Sequence, residues 1–486
     1  MTTLESDKEK LCCLVYCIGI LTISAAIWNI CKLAGRYFNK MTTNEEVVPK
    51  QSQAADDLTK RLRHYLVNGR NQSEICGKVV LAMEQVNIVP LLVGSGIEKG
   101  KLRNILHVLA RRMRCLRLKM ADIRRLHDLC QRMGLSELTK VRVCIVLADD
   151  KGDSAAGGSQ LELLGSLTPG VQILSVLCCI DGHFPDLKKV RIVHLYSTVT
   201  QGTLEELFRN CPLLQHFKMK AEGRSPKIMD MRNIGRCSFL EGLLLPLLLK
   251  SPLAVCQLSN LKQLTLQSKD QWQKEEWLLV VQEIIKAKRF ELDRICFDGA
   301  YVGAPLNLSV LLLARCTALT EVRLSHCKLV GDSKLPPPLP FSCHSLRIRY
   351  CTLAKLSLLL ASDCMLQHMD LFNCQSVKTA NLLSEALATR KTQTCMSPLV
   401  IKLLQSPELE IEYNKWSPQQ QLAAKPWLEI EVLKEDHIPS WEDQGLGLIS
   451  MRFGQAIKSF PTNLADYQNQ LDNADLLKEM DSVCGF

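Results

Sequence analysis

An apolar pattern that returns about every 26 residues constrains this chain more than any other feature, because such a period is satisfied by stacking equivalent units side by side. The pattern is L-x-x-L-x-L-x-x-C, with other apolar residues allowed in each slot. It is clearest at Leu319, Val322, Leu324 and Cys327, and returns at Cys343, Leu346, Ile348 and Cys351. It appears again at Leu366, Met369, Leu371 and Cys374. The same spacing holds upstream at Leu187-Val190-Ile192, Leu214-Phe217-Met219, Leu240-Leu243-Leu245, Leu261-Leu264-Leu266 and Leu292-Ile295-Phe297. Fainter units begin at Met113, Leu138 and Leu161, the last as Leu161-Leu164 with Ser166, and Leu409-Ile411 and Trp427-Ile430-Val432 extend the series downstream. Each L-x-L predicts a short strand with two side chains inward and the one between them outward. The rest of a unit returns by a helix or turn. Thr203 to Phe208 reads as such a helix, with Thr203 and Glu206 spaced as a capping box. No unit buries its apolar face alone, so neighbours stack and their parallel strands line a concave surface. Apolar residues make up 47% of the chain and aromatics only 5%, the balance that medium-sized side chains at fixed spacing produce.

A second cysteine stands just before several units, in Cys211-Pro212-Leu213-Leu214, at Cys237 before Leu240, at Cys316 before Leu319 and at Cys364 before Leu366. With the cysteine that closes the pattern, these stretches resemble the cysteine-containing subclass of leucine-rich repeats, as in the F-box/leucine-rich-repeat substrate receptors of cullin-type ubiquitin ligases. The resemblance covers roughly residues 105–435. It implies an α/β fold: a leucine-rich-repeat solenoid, or horseshoe, with parallel strands on the concave face. It also implies an F-box ahead of the repeats, opening on a Leu-Pro pair and closing near a Trp. Residues 58–108 contain neither and read as a helical cap, with the repeats over 109–435.

Cys327, Cys351 and Cys374 are separated by one repeat each, so all three are expected in the same buried slot. Outside the apolar N-terminal stretch no C-x2-C pair occurs, so no metal site is expected among the 22 cysteines. Buried free thiols suit a reducing compartment. Catalytic motifs are likewise not found. Gly94 to Lys101 resembles a phosphate loop but has Ser95 where glycine is needed and Leu102 where Ser or Thr is needed. Neither H-E-x-x-H nor G-x-S-x-G occurs, so the chain reads as a non-enzyme without a cofactor.

After a tail of residues 1–10, the uncharged stretch Leu11 to Cys31 would make about 31 Å of helix, enough to cross a bilayer. A single transmembrane helix at 11–31 is therefore expected, followed by a linker over 32–57. Lys32, Arg36 and Lys40 follow it, against Lys8 and Lys10 before it, which places the bulk of the chain in the cytosol. Occupied sequons at Asn71 or Asn307 would instead mean a lumenal or extracellular protein.

The net charge of +10 is concentrated. Between Lys99 and Arg125 ten basic residues face Asp122 alone, and Arg111, Arg112, Arg114, Arg124 and Arg125 are candidates for contact with anionic lipid headgroups. The cluster has no aromatic for base stacking, which disfavours nucleic acid. In the repeat register, Lys189, Arg191, Lys218, Lys220, Arg294, Arg323, Arg347 and Arg349 fall on outward strand positions, against Asp298, Glu321 and Asp370. That surplus predicts an acidic protein partner on the concave face. Lys334 followed by Pro336 to Leu339 and Pro340 interrupts one unit, and the segment Pro337 to Pro340 could meet an SH3-type domain. Residues 436–486 form a polar tail. The expected function is that of a membrane-anchored, cytosol-facing adaptor or scaffold. A ubiquitin-ligase substrate receptor with a degenerate F-box is the alternative, and a lumenal or extracellular recognition protein is the third.

Overall fold

A computed structural model describes residues from Thr59 to Leu433, apart from short internal segments of which the longest are 68–78, 148–155, 220–228 and 331–338. The expected span at 11–31, its linker, Lys220, Pro337 and Pro338 and the C-terminal tail lie outside the described residues. Among the described residues no helix is long and apolar enough to cross a membrane. The chain divides into two units. Met1–Arg61 with Asp466–Phe486 form one, of which only Thr59 and Lys60 are described, and Leu62–Ala465 holds every element below.

That unit is an α/β structure built on one thirteen-stranded sheet whose strands lie side by side in chain order, each parallel to its neighbours. The strands are β1 Cys115–Lys119, β2 Val143–Leu147, β3 Ile173–Val176, β4 Ile192–Leu195, β5 His216–Met219, β6 Gly242–Pro246 and β7 Gln263–Gln267. They continue as β8 Arg294–Asp298, β9 Glu321–Ser325, β10 Ser345–Arg349, β11 His368–Phe372, β12 Leu399–Leu404 and β13 Leu428–Val432. Helix α1, Lys99–Arg112, precedes β1. Among the returns between strands are α2 Asp122–Arg132, α3 Gly158–Leu167, α4 Gln201–Asn210, α5 Glu275–Lys288, α6 Leu382–Lys391, α7 Pro407–Asn414 and α8 Pro418–Ala424. Short 3-10 turns replace a helix after β5, β6 and β8. Strand-to-strand steps from Leu116 in β1 to Ile430 in β13 average about 26 residues.

The inward positions form two unbroken rows. Leu243, Leu264, Ile295, Val322, Leu346, Met369 and Ile401 are paired in register, as are Leu245, Leu266, Phe297, Leu324, Ile348, Leu371 and Leu403, and all are buried. These match the units read from sequence between Leu214 and Leu371. Nearer the N-terminus the register differs. Cys144 and Val146 pair with Leu116 and Leu118, and Val193 and Leu195 pair with Phe217 and Met219. The units expected at Leu138 and Leu187 are therefore shifted by three residues. Leu161 and Leu164 lie in helix α3 and Leu409 and Ile411 in helix α7, and neither forms the expected strand. The cause is that VCIVL, ILSV and IVHL are almost continuously apolar, so alternation no longer distinguishes one frame from another.

From β1 to β11 each strand is fastened to the next at its start by a forked bond. Arg114 O accepts from Arg142 N and Val143 N at 2.8 and 3.0 Å, Thr320 O from His344 N and Ser345 N at 2.9 and 3.1 Å, and the pattern repeats along the sheet. Among the described residues no strand precedes β1 to supply such a carbonyl. The carboxylate of Glu84 takes its place, Oε1 accepting from Arg114 N at 2.5 Å and Cys115 N at 3.1 Å.

At the other end of the strands, His326, Tyr350, Asn373 and Gln405 each follow a strand directly and each adopt positive φ, between 47° and 53°. The next residue plugs the turn. Cys327 Sγ donates to Ser325 O at 3.1 Å, Cys351 Sγ to Arg349 O at 3.2 Å and Cys374 Sγ to Phe372 O at 3.5 Å. Cys327, Cys351 and Cys374 thus do occupy one buried slot. Ser406 fills the same slot in the next unit, its Oγ donating to Leu404 O at 3.2 Å and accepting from Cys374 N at 3.0 Å. The described cysteines are free thiols. Burial pushes Cys144 and Cys237 up to about 12 and holds Cys374 well above its ordinary value, so these thiols stay protonated.

The helix expected from Thr203 begins earlier, at Gln201. Thr200 is its cap, accepting from Thr203 N at 3.4 Å. Thr203 Oγ1 donates instead to Gly182 O at 2.6 Å, and Glu206 accepts from Phe184 N at 2.7 Å, so the expected capping box does not form.

Candidate partner-binding face of the sheet

The face of the sheet opposite the inward rows changes character along its length. On β2 to β4 its side chains are Val143, Ile145, Ile173, Ser175, Ile192 and His194, and all but Val143 are buried. Ile173 and Ile192 pack together with Val143 against them. His194 is held well below its ordinary value by burial first and by Lys218 and His216 second, so it is neutral. This stretch is where Lys189 and Arg191 were expected. With the register shifted by three, both precede β4 instead, Lys189 exposed and Arg191 half-buried in the turn that leads into the strand. Lys218 does lie on this face, in the same row as His194 of β4.

From β8 to β11 the face is ionic. Arg294 and Glu321 share one row, and Arg323, Arg347 and Asp370 the next. Glu321 is the hub. Arg323 reaches it through Nε and Nη2 at 2.9 and 3.2 Å, Arg294 Nε lies 2.5 Å away and Arg347 Nε 2.9 Å. Arg347 also lies 3.4 Å from Asp370. Burial opposes ionisation of Glu321 most strongly, but Arg323, Arg294 and Arg347 together outweigh it and hold its carboxyl below the usual range. Burial dominates at Asp370, raising its carboxyl despite Arg347 and Lys402. Burial likewise pulls Arg294 down from its ordinary value.

A third row adds a different chemistry. Arg349 Nε donates to Ser325 Oγ at 2.7 Å, and Asp298 accepts from Gln267 Nε2 at 3.1 Å while its other oxygen lies 3.2 Å from His326 Nδ1. Beside it the His326 and Tyr350 rings stack at 5.0 Å, and Tyr350 meets the edge of Phe372 at 5.1 Å. The positive φ of His326 and Tyr350 is what turns these rings into one column.

The structure therefore brings Arg294, Arg323, Arg347 and Arg349 together. It separates Lys189 and Arg191 from them and leaves Lys220 undescribed. The expected broad surplus of charge is reduced here to four guanidiniums around Glu321, Asp298 and Asp370. Counting signs along the chain treated Glu321 only as an offset, and its position between three arginines follows from the strand register. The His326–Tyr350–Phe372 column was also missed, although two of its members directly precede a repeat cysteine.

The basic cluster near the N-terminus is divided. Arg111 and Arg112 are exposed at the end of α1, Arg114 is exposed just ahead of β1, and Arg124 and Arg125 are exposed on α2 beyond the strand's other end. Arg125 pairs with Asp122 at 3.2 Å. At the Pro-rich interruption, Leu339 and Pro340 are buried. Among the described residues no three His, Cys, Asp or Glu side chains converge as metal ligands. No protein-family model matches the chain, and no curated protein does.

Proposed function

We propose that this chain is a leucine-rich-repeat adaptor of the cysteine-containing kind, anchored in a membrane by residues 11–31, facing the cytosol, and binding an acidic partner protein through the ionic half of its sheet. The repeat reading is supported by strands in chain order at about 26-residue steps, with a thiol or hydroxyl in one recurring slot. The single observation that carries the binding reading is the gathering of Arg294, Arg323 and Arg347, from three adjacent strands, around the one carboxylate of Glu321. Four guanidiniums against Glu321, Asp370 and Asp298 leave a local surplus of positive charge, and Glu321 fixes three of them in place before a partner arrives. A carboxylate or phosphate on the partner would complete the array. Arg111 and Arg112 would meet anionic lipid near the anchor.

The test is proximity labelling by the full-length chain in cells, with two opposing variants. Glu321→Gln removes the competing carboxylate and should strengthen labelling of the same partners. Arg323→Gln with Arg347→Gln should abolish it. A network that only holds the fold would weaken labelling in both variants, and that outcome would reject the site. The anchor is read separately: carbonate should fail to extract the intact chain from membranes and should extract one lacking residues 11–31.

A further inference from the structure

The rim where the strands begin carries large apolar side chains that a solvated turn does not require. Phe239, Phe290 and Phe341 are 51%, 65% and 67% exposed, and Leu213 and Met365 are exposed beside them. All five precede strands of the one sheet by a few residues: Leu213 before β5, Phe239 before β6, Phe290 before β8, Phe341 before β10 and Met365 before β11. From β6 onward, neighbouring turns of this rim are bonded sideways at several steps. Asn260 Nδ2 donates to Ser238 O at 2.7 Å, Thr317 N to Arg289 O at 3.0 Å, Ser342 Oγ to Cys316 O at 3.3 Å and Met365 N to Phe341 O at 3.1 Å. From β5 to β11 there are six strand steps, so the row is about 29 Å long.

Exposed basic residues alternate with these side chains. Arg236 stands three residues before Phe239, Arg289 lies over the Phe290 ring at 4.5 Å, and Lys262 and Arg315 occupy neighbouring turns. The same rim continues to Lys189 ahead of β4 and to Arg111 and Arg112 ahead of β1, all exposed. A cation at the end of a short 3-10 turn lies near that turn's last carbonyls, which accounts for Arg236 and Arg315 singly. It does not account for three phenylalanines in water. Apolar side chains at turn tips, with arginine and lysine between them along one line, match the interface of an anionic bilayer, where rings enter the acyl boundary and cations meet headgroups.

We propose that this rim docks on an anionic membrane surface, with Phe239, Phe290 and Phe341 inserted and Arg236, Arg289 and Arg315 at the headgroups. This extends the lipid reading of Arg111 and Arg112 along the sheet and is independent of the anchor. Hydroxyl-radical footprinting tests it, because it reads phenylalanine and methionine side chains directly. The full-length chain is reconstituted in vesicles of phosphatidylcholine alone, in vesicles containing phosphatidylserine as well, and in detergent micelles. Oxidation of Phe239, Phe290, Phe341 and Met365 should fall several-fold only in the phosphatidylserine vesicles. Leu279 and Leu422, exposed elsewhere, should be unchanged. The triple variant Arg236→Gln, Arg289→Gln, Arg315→Gln should lose that protection. Unchanged oxidation in all vesicles, or equal protection by phosphatidylcholine alone, overturns the proposal. So does protection that appears in micelles and rises with protein concentration, which would mean that a second copy covers the rim. Flotation of the chain lacking residues 11–31 with phosphatidylserine vesicles separates the rim from the anchor: it should float, and the triple Phe→Ser variant at 239, 290 and 341 should not.

Discussion

Glu84 does for β1 what a main-chain carbonyl does for each strand from β2 to β11, and it does so from a buried position. Burial pushes its carboxyl from 4.5 up to about 7, against the lowering effect of the bonds from Arg114 and Cys115. The sign follows directly. Between pH 4.5 and about 7 the unfolded carboxyl is ionised while the folded one keeps its proton, so folding binds a proton and stability falls as pH rises through this window. Below the window the contribution is fully present, and above it the loss is complete, on the order of 3 kcal/mol at ~1.4 kcal/mol per pKa unit. Glu84→Gln keeps the accepting oxygen and removes the titration. Urea unfolding of both proteins in detergent, near pH 5 and near pH 8, should show the parent losing more stability than the variant. Identical pH dependence would mean that Glu84 does not titrate in this window. Nothing in the repeat pattern points to Glu84, because it lies before the first unit read from the sequence and supplies from a side chain the acceptor that later strands take from a neighbour's main chain. Ser406 was hidden for a different reason: a hydroxyl can fill a thiol's slot, and a search for cysteine passes over it.

The strands divide into those that the sequence describes well and those that it describes twice. In β9 to β11 a charged residue stands between inward side chains, as in Ser345-Leu346-Arg347-Ile348-Arg349, and only one frame fits. In β2 to β4 most outward positions are themselves apolar, and alternation does not single out one frame. That ambiguity moved Lys189 and Arg191 onto a face that they do not occupy, and it concealed the apolar half of that face. The ionic half was legible as residue types but not as a network, since Arg294 and Glu321 are brought side by side by register across strands. Leu346 tests the part that is legible. Its side chain is fully buried between Val322 and Met369, so Leu346→Ala should cost roughly 2–5 kcal/mol through the cavity left behind. Chemical denaturation measures the loss. A cost below about 1 kcal/mol would mean that the inward row is less closely packed than the burial of its members implies.

At the scale of the whole unit, strand order equals chain order, so each layer rests on its neighbours in sequence and on little else. The consequence is mechanical. Among the described strands, a force applied from the C-terminal side meets β13 before it meets β12, and each of these pairs only with its neighbours in chain order. The sheet should therefore come apart as a zipper does, tooth by tooth from the loaded end. Pulled from the C-terminus in a single-molecule experiment, it should release about 26 residues at a time, close to 90 Å of extended chain per event. One rupture that frees the entire sheet would show that load is shared across layers. A train of small ruptures would make this sheet a shock absorber, yielding its last turns while its first turns stay folded.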